Sequence, residues 1–161
     1  MRSPSPTLLL LVALLPAGVL GQSMTTGRGI ESVYRGAGTA RSGPDSMRFH
    51  MFFPSCLADG VTDIRMYWDI DTTTVFGSFS LPAEYARQVP GILRAVARDP
   101  LPLPSPSPGP PGWWPTELRE DLRRGKLEAA GYRLFWCHGG WRGYTLAIKL
   151  DEGTAYYWRG K

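Results

Sequence analysis

Hydrophobic and polar residues alternate strictly over residues 64–71, where Ile64, Met66, Trp68 and Ile70 are interleaved with Arg65, Tyr67, Asp69 and Asp71. A period of two is typical of a β-strand that turns one row of side chains to the core and the other to water. Residues 75–81 predict its hairpin partner. Residues 48–53, which are ended by Pro54, predict another strand before it.

A helical spacing follows after Pro82. Its apolar residues recur at intervals that place them on one helix face: Tyr85, Val89, Ile92, Leu93 and Val96. This spacing predicts a helix packed on the sheet. Because proline removes a backbone hydrogen bond, Pro90 predicts a kink or a break into two short helices. A second short helix is predicted from Thr116, a favourable N-cap, to about Gly125.

The end of the chain predicts three more strands, residues 132–137, 141–150 and 154–158, separated by glycine-containing turns. Their inner rows would be Tyr132, Leu134, Trp136, Tyr144, Leu146, Ile148 and Leu150. The fold class is therefore α+β, a single antiparallel sheet of five to six strands with one or two short helices packed on one face. Residues 99–112 predict a proline-rich surface loop, since proline cannot donate to a sheet.

The chain divides into three predicted parts. Residues 1–21 have the features of an export signal peptide cleaved after Gly21, and the apolar stretch 8–20 is shorter than the roughly 20 residues of a membrane span. Residues 22–46 carry few apolar side chains and predict a flexible leader. Residues 47–161 predict a single α+β domain. We therefore expect a secreted or periplasmic protein with no membrane span in its mature form.

Export bears on the two cysteines, Cys56 and Cys137. In an oxidising compartment a disulfide between them is the default expectation, and it would tie together the ends of two predicted strands. The alternative is two buried free thiols that are too far apart to join.

The formal net charge is +4, with basic residues spread among acidic ones, which does not indicate a nucleic-acid partner.

Asp69 and Asp71 share a predicted strand face and, with Asp59 and Asp63, could form a cation site. No calcium-loop pattern runs through these residues. The favoured alternative is a solvated strand face on which Arg65 pairs with Asp69. The chain has two histidines, His50 and His138. Neither joins a recognised catalytic or metal-binding pattern, so no catalytic residue, metal or cofactor is predicted.

Aromatic residues near the proline-rich segment and at the end of the chain are the one unusual feature. They cannot all face inward, so together with a neighbouring arginine they form a candidate surface for stacking on sugar rings or anchoring a protein: Trp113, Trp114, Trp141, Tyr156, Trp158 and Arg159. The favoured alternative is intramolecular. The tryptophan pair would then hold the proline-rich loop by packing against it, and that loop would cover the terminal aromatic residues.

Several aromatic and proline positions also resemble a loose class of small exported bacterial proteins of uncharacterised function: Phe53-Pro54, Arg65-Met66-Tyr67-Trp68, Phe79-Ser80-Leu81-Pro82, Trp113-Trp114-Pro115 and Tyr156-Tyr157-Trp158. The resemblance implies export and one compact domain, and it implies no chemistry. The leading hypothesis is thus a non-enzymatic exported protein that binds a protein or a cell-wall glycan. The alternative is a small extracytoplasmic hydrolase or enzyme inhibitor with a site built from dispersed residues.

Overall fold

The computed structural model describes residues 22–26, 29–57, 60–96, 109–120, 122–139 and 142–159. The predicted signal peptide, most of the proline-rich loop and Trp141 lie outside these ranges.

Within the described ranges, eight strands form one antiparallel sheet in the order β1-β2-β3-β4-β8-β7-β6-β5. Seven of them have five to eight residues and β5 has two; the strands are β1 (Gln22–Thr26), β2 (Gly29–Gly36), β3 (Thr62–Asp69), β4 (Val75–Ser80), β5 (Arg94–Ala95), β6 (Arg133–Gly139), β7 (Arg142–Lys149) and β8 (Thr154–Arg159). Pairing of β4 with β8 joins the two halves of the chain in the middle of the sheet. The predicted α+β class holds, with more strands than expected.

In the part of the chain that the structure describes, five short helices flank the sheet: α1 (Ala37–Ser42), α2 (Ser46–Phe52), α3 (Ala83–Ile92), α4 (Glu117–Glu120) and α5 (Arg124–Ala129). Their buried side chains fall into two clusters. The front core joins α1, α2 and α3 to sheet residues such as Ile64 and Tyr157. The back core joins α4, α5 and Trp114 to residues such as Phe76 and Trp158. The prediction of helices on one face is therefore wrong, because both faces of the sheet carry apolar rows that need cover.

The predicted flexible leader is also corrected. Strand β2 pairs with β1 over residues 29–33 and with β3 from residue 29 to residue 36, and α1 follows it directly. The ordering comes from backbone hydrogen bonds and close packing of small residues, since Ala37 and Ala40 are fully buried. Side-chain hydrophobicity alone, on which the leader prediction was based, does not measure these contributions.

Residues 48–53 were predicted as a strand and are mostly helix α2. Phe49, Phe52 and Phe53 are three and four positions apart, which places them on one helix side, and all three are buried in the front core. The same aromatic residues have high strand propensity, and this favoured the wrong element.

Part of the row of β3 that the sequence predicts to face water is also covered. Tyr67 and Asp69 are buried, whereas Ile70, predicted to face the core, is half exposed at the turn. The residues predicted to form inner rows in the last strands are also divided between the two faces of the sheet. Leu134 of β6 packs in the back core, whereas Leu146 of β7 packs in the front core.

The Cys56–Cys137 disulfide is confirmed, with the two Cα atoms 6.0 Å apart. It ties the segment after α2 to β6. In the described ranges, no helix is long and apolar enough to cross a membrane.

Candidate functional site

Two of the predicted binding residues are core residues. Trp114 is 3% exposed and Trp158 is 1% exposed, with their rings 6.1 Å apart and edge to face. The indole Nε1 of Trp114 donates to the carbonyl of Leu118 at 3.2 Å. An external ligand cannot stack on rings this deeply buried, so the predicted aromatic surface is corrected at these two positions.

Trp113 and Tyr156 lie half-buried at the border of the back core. Their ring centroids are 5.9 and 5.6 Å from that of Trp114. The guanidinium of Arg65 lies 5.0 Å from the Trp113 ring centroid and also pairs with Glu31. These contacts attach both aromatic side chains to the protein itself.

The backbone ties the tryptophan pair to the end of the proline-rich segment. The Trp114 amide donates to the carbonyl of Pro111 at 2.9 Å. The side chain of Arg119 bridges the same stretch by donating to the Trp114 and Pro111 carbonyls. These hydrogen bonds tie the tryptophan pair to residue 111 of the proline-rich segment. Packing of the pair on residues 99–108, which lie outside the described ranges, stays a prediction.

Arg159 lies on the opposite face of the sheet from Trp158, as successive residues of a strand do. Its guanidinium is 5.5 Å from the ring centroid of Phe52 and 5.6 Å from that of Tyr144. The predicted binding residues are therefore split between the two faces, and Trp141 lies outside the described residues.

Asp69, predicted to lie on a solvated strand face or in a cation site, instead holds a turn. The fully buried carboxylate of Asp69 accepts hydrogen bonds from the Thr72 amide at 2.7 Å and the Thr72 hydroxyl at 2.6 Å, which closes the β3–β4 connection. Arg65 pairs with Glu31 rather than with Asp69. Within the ranges described, no three histidine, cysteine or acidic side chains are grouped to hold a metal ion.

A cleft missed by the sequence prediction opens beside α2 on the front face. We call it the α2 cleft; its volume is about 250 Å³, and it is lined by Pro44, Asp45, Met47, Arg48, Met51, Phe52 and Trp68. Met47 is 77% exposed and Met51 is 56% exposed, one helical turn apart. The rings of Phe52 and Trp68 stack at 4.6 Å and form its aromatic wall.

The helix that forms the cleft is held from several sides. Phe49 anchors the buried side of α2 in the front core, and its ring stacks on that of Phe53 with the ring centroids 4.6 Å apart. The Tyr144 hydroxyl donates to the carbonyl of Met51 at 3.2 Å. Burial raises the pKa of Tyr144, and the nearby Arg159 charge opposes this rise only in part. Tyr144 therefore remains a protonated donor at neutral pH, and the exposed methionines project from a fixed backbone.

Charged groups lie at the cleft as well. Arg48 pairs with Asp45 at 3.5 Å, and its guanidinium also approaches the Ser32 hydroxyl at 3.5 Å. Arg159 contacts the Phe52 ring from beside the cleft. Predicting residues 46–52 as a helix would indicate this site, because a helix places Met47 and Met51 on the side opposite the buried Phe49.

No protein-family model, curated protein or solved structure matches the chain. The candidate site is accordingly defined by the side chains and geometry of this molecule.

Proposed function

We propose that the chain is an exported, non-enzymatic binding protein whose α2 cleft takes up a small apolar group. The observation that carries the proposal is the pair of exposed methionines beside the stacked Phe52 and Trp68 rings. Exposed apolar side chains gathered at a concave surface are typical of binding sites. Methionine suits this role because its flexible, polarisable side chain adapts to different ligand shapes.

Export is supported by the features of residues 1–21 and by the disulfide, since such bonds persist in oxidising compartments. The signal peptide and the mature amino terminus at Gln22 are part of the proposal.

The occupant we propose is a small organic anion with an apolar ring. The volume of about 250 Å³ is below the roughly 300–1,000 Å³ of pockets that hold drug-sized ligands, so the cleft accepts a small group. Its walls are apolar on the methionine and aromatic sides. The guanidinium of Arg48 lines the cleft, and that of Arg159 lies beside it over the Phe52 ring. Asp45 supplies the single carboxylate among the lining residues, so positive groups outnumber negative ones there. This balance favours a negative group on the ligand.

The proposal is tested with anilinonaphthalene sulfonate, an aromatic anion whose fluorescence rises in apolar sites. The folded protein should bind it with a defined stoichiometry. Met51→Ser should weaken binding about tenfold, which corresponds to about 1.4 kcal/mol of lost apolar contact. Ile92→Ser is the matched control, because Ile92 is 52% exposed at the end of α3 and does not line the cleft.

The control should bind the probe like the unmodified protein. Equal weakening by the two substitutions, or no probe binding by the folded protein, would contradict the proposal. Circular dichroism of each variant verifies that the signal comes from the native fold.

A further inference from the structure

Three side chains with soft or borderline metal-ligand atoms share the exposed side of α2. Met47, His50 and Met51 are separated by three and one positions, and all three are exposed. Residues three and four apart on a helix have Cβ atoms about 5–6 Å from each other, so His50 and Met51 both neighbour Met47. The opposite side of the helix is occupied by Phe49, which is buried in the front core.

We propose that Met47, His50 and Met51 form a binding site for a soft monovalent metal ion of the Cu(I) type. The site would use the two thioether sulfur atoms and one imidazole nitrogen. Thioethers select Cu(I) over hard cations, and imidazole is a good ligand for copper. A methionine side chain has three rotatable bonds, so the two sulfur atoms can close on an ion next to the imidazole without movement of the helix.

The surroundings favour this ion over its competitors. Both cysteines of the chain are in the disulfide, so no thiolate competes for a soft ion. The three proposed ligands supply sulfur and nitrogen atoms and include no carboxylate, which disfavours Mg²⁺ and Ca²⁺ because these ions prefer oxygen ligands. The positive charge of Arg48, on the neighbouring side of α2, is offset by its ion pair with Asp45.

The helix backbone is already fixed, which lowers the entropy lost on binding. The Tyr144 hydroxyl holds the Met51 carbonyl, and Phe49 and Phe52 anchor the buried side. Only the exposed side chains need to become ordered around the ion.

This site goes beyond the proposed function, although it shares Met47 and Met51 with the α2 cleft. His50 does not line the cleft. The two proposals can therefore fail separately: His50→Ala removes a metal ligand and leaves the cleft wall, whereas the Met47→Leu/Met51→Leu double variant removes both sulfur atoms and keeps the wall apolar.

The test is calorimetric titration of the disulfide-bonded protein with Ag(I), which has the same charge and ligand preference as Cu(I) and needs no reductant. The unmodified protein should bind one ion in a site that excess Zn²⁺ does not empty. Since loss of even an outer-sphere partner weakens metal sites about 10–100-fold, each variant should bind Ag(I) at least about tenfold more weakly. Both variants should keep their melting temperature, and His50→Ala, which leaves the lining of the cleft intact, should also keep its binding of anilinonaphthalene sulfonate.

Ag(I) affinity that is unchanged in the Met47→Leu/Met51→Leu variant would overturn the proposal, as would an unmodified protein that binds no Ag(I). Unchanged affinity in His50→Ala with loss in the double variant would overturn the imidazole ligand and so the three-ligand site. A loss of fluorescent-probe binding in the double variant, with Ag(I) binding retained, would contradict this assignment. The two methionines would then act in the α2 cleft and not as metal ligands.

Discussion

Replacing Trp114 by alanine should lower the free energy of unfolding by about 4 kcal/mol. The side chain is 3% exposed, and its ring lies 5.1 Å from that of Phe76, 5.6 Å from Tyr156 and 6.1 Å from Trp158. Truncation of a buried large aromatic residue costs about 3–5 kcal/mol, through lost transfer free energy and the cavity left behind. The substitution also removes the hydrogen-bond donor of the Leu118 carbonyl, which adds to the loss.

Urea denaturation followed by far-ultraviolet circular dichroism measures this loss. For a chain of this size it corresponds to a fall in melting temperature of roughly 10 °C. Trp113→Ala is the matched control, because the neighbouring indole is only half-buried and contacts Trp114 and Arg65 at the border of the core. Its cost should be about 1–2 kcal/mol. A loss below about 1 kcal/mol for Trp114→Ala, or a larger loss for Trp113→Ala, would refute the assignment of Trp114 to the back core.

Three further predictions concern the tyrosines, the disulfide and export. Burial raises the pKa of Tyr144 and Tyr157 above 10, so the folded state keeps protons that the unfolded chain releases. The free energy of unfolding should be at its full value below pH 10 and fall above it by up to about 1.4 kcal/mol per pH unit for each group. Urea titrations in alkaline buffers that show no such fall would contradict this. Replacing Cys56 and Cys137 together by alanine should cost about 4–5 kcal/mol, because the bridge spans 81 residues, and an unchanged urea midpoint would refute the constraint. Amino-terminal sequencing of the secreted protein should begin at Gln22, whereas full-length protein confined to the cytosol would rule out export.

The strands that the sequence predicts correctly are marked by alternating apolar residues, most clearly over residues 64–71, or by the turns that bound them. Residues 64–71 and 75–81 correspond to β3 and β4, and the three predicted strands at the end of the chain correspond to β6, β7 and β8. Where apolar residues alternate, the pattern predicts a strand because it reports which residues share a face. It could not show that both faces are covered, since Tyr67 and Asp69 are as compatible with a solvated row as with a second buried layer.

The elements that were missed depend on contacts distant in sequence. Strand β2 is ordered by its ladder to β3, which pairs residues 29–36 with residues 62–69, and α1 by the burial of two alanines. Local composition carries little information about either. Pro90 was expected to kink or split a helix, and it lies within the last turn of the ten-residue α3.

The candidate site was missed for a related reason. The sequence predicts a strand over residues 48–53, in which Met51 would share a face with Phe49 and Phe53, because residues two apart on a strand lie on the same side. Once residues 46–52 are helical, the phenylalanines determine the buried side and the methionines fall on the other. Conversely, composition makes Trp114 and Trp158 candidates for an aromatic surface, and only their positions in the fold show that they are buried.

The most direct test of the α2 cleft as a ligand site is nuclear magnetic resonance of protein labelled at the methionine methyl groups, titrated with anilinonaphthalene sulfonate. Met47→Leu and Met51→Leu variants assign the two exposed methyl signals, and Met66, 3% exposed in the front core, is the internal reference. We expect the Met47 and Met51 signals to shift together and saturate while the Met66 signal stays in place. Saturable probe binding that leaves both exposed methyl signals unmoved would contradict the cleft as the binding site.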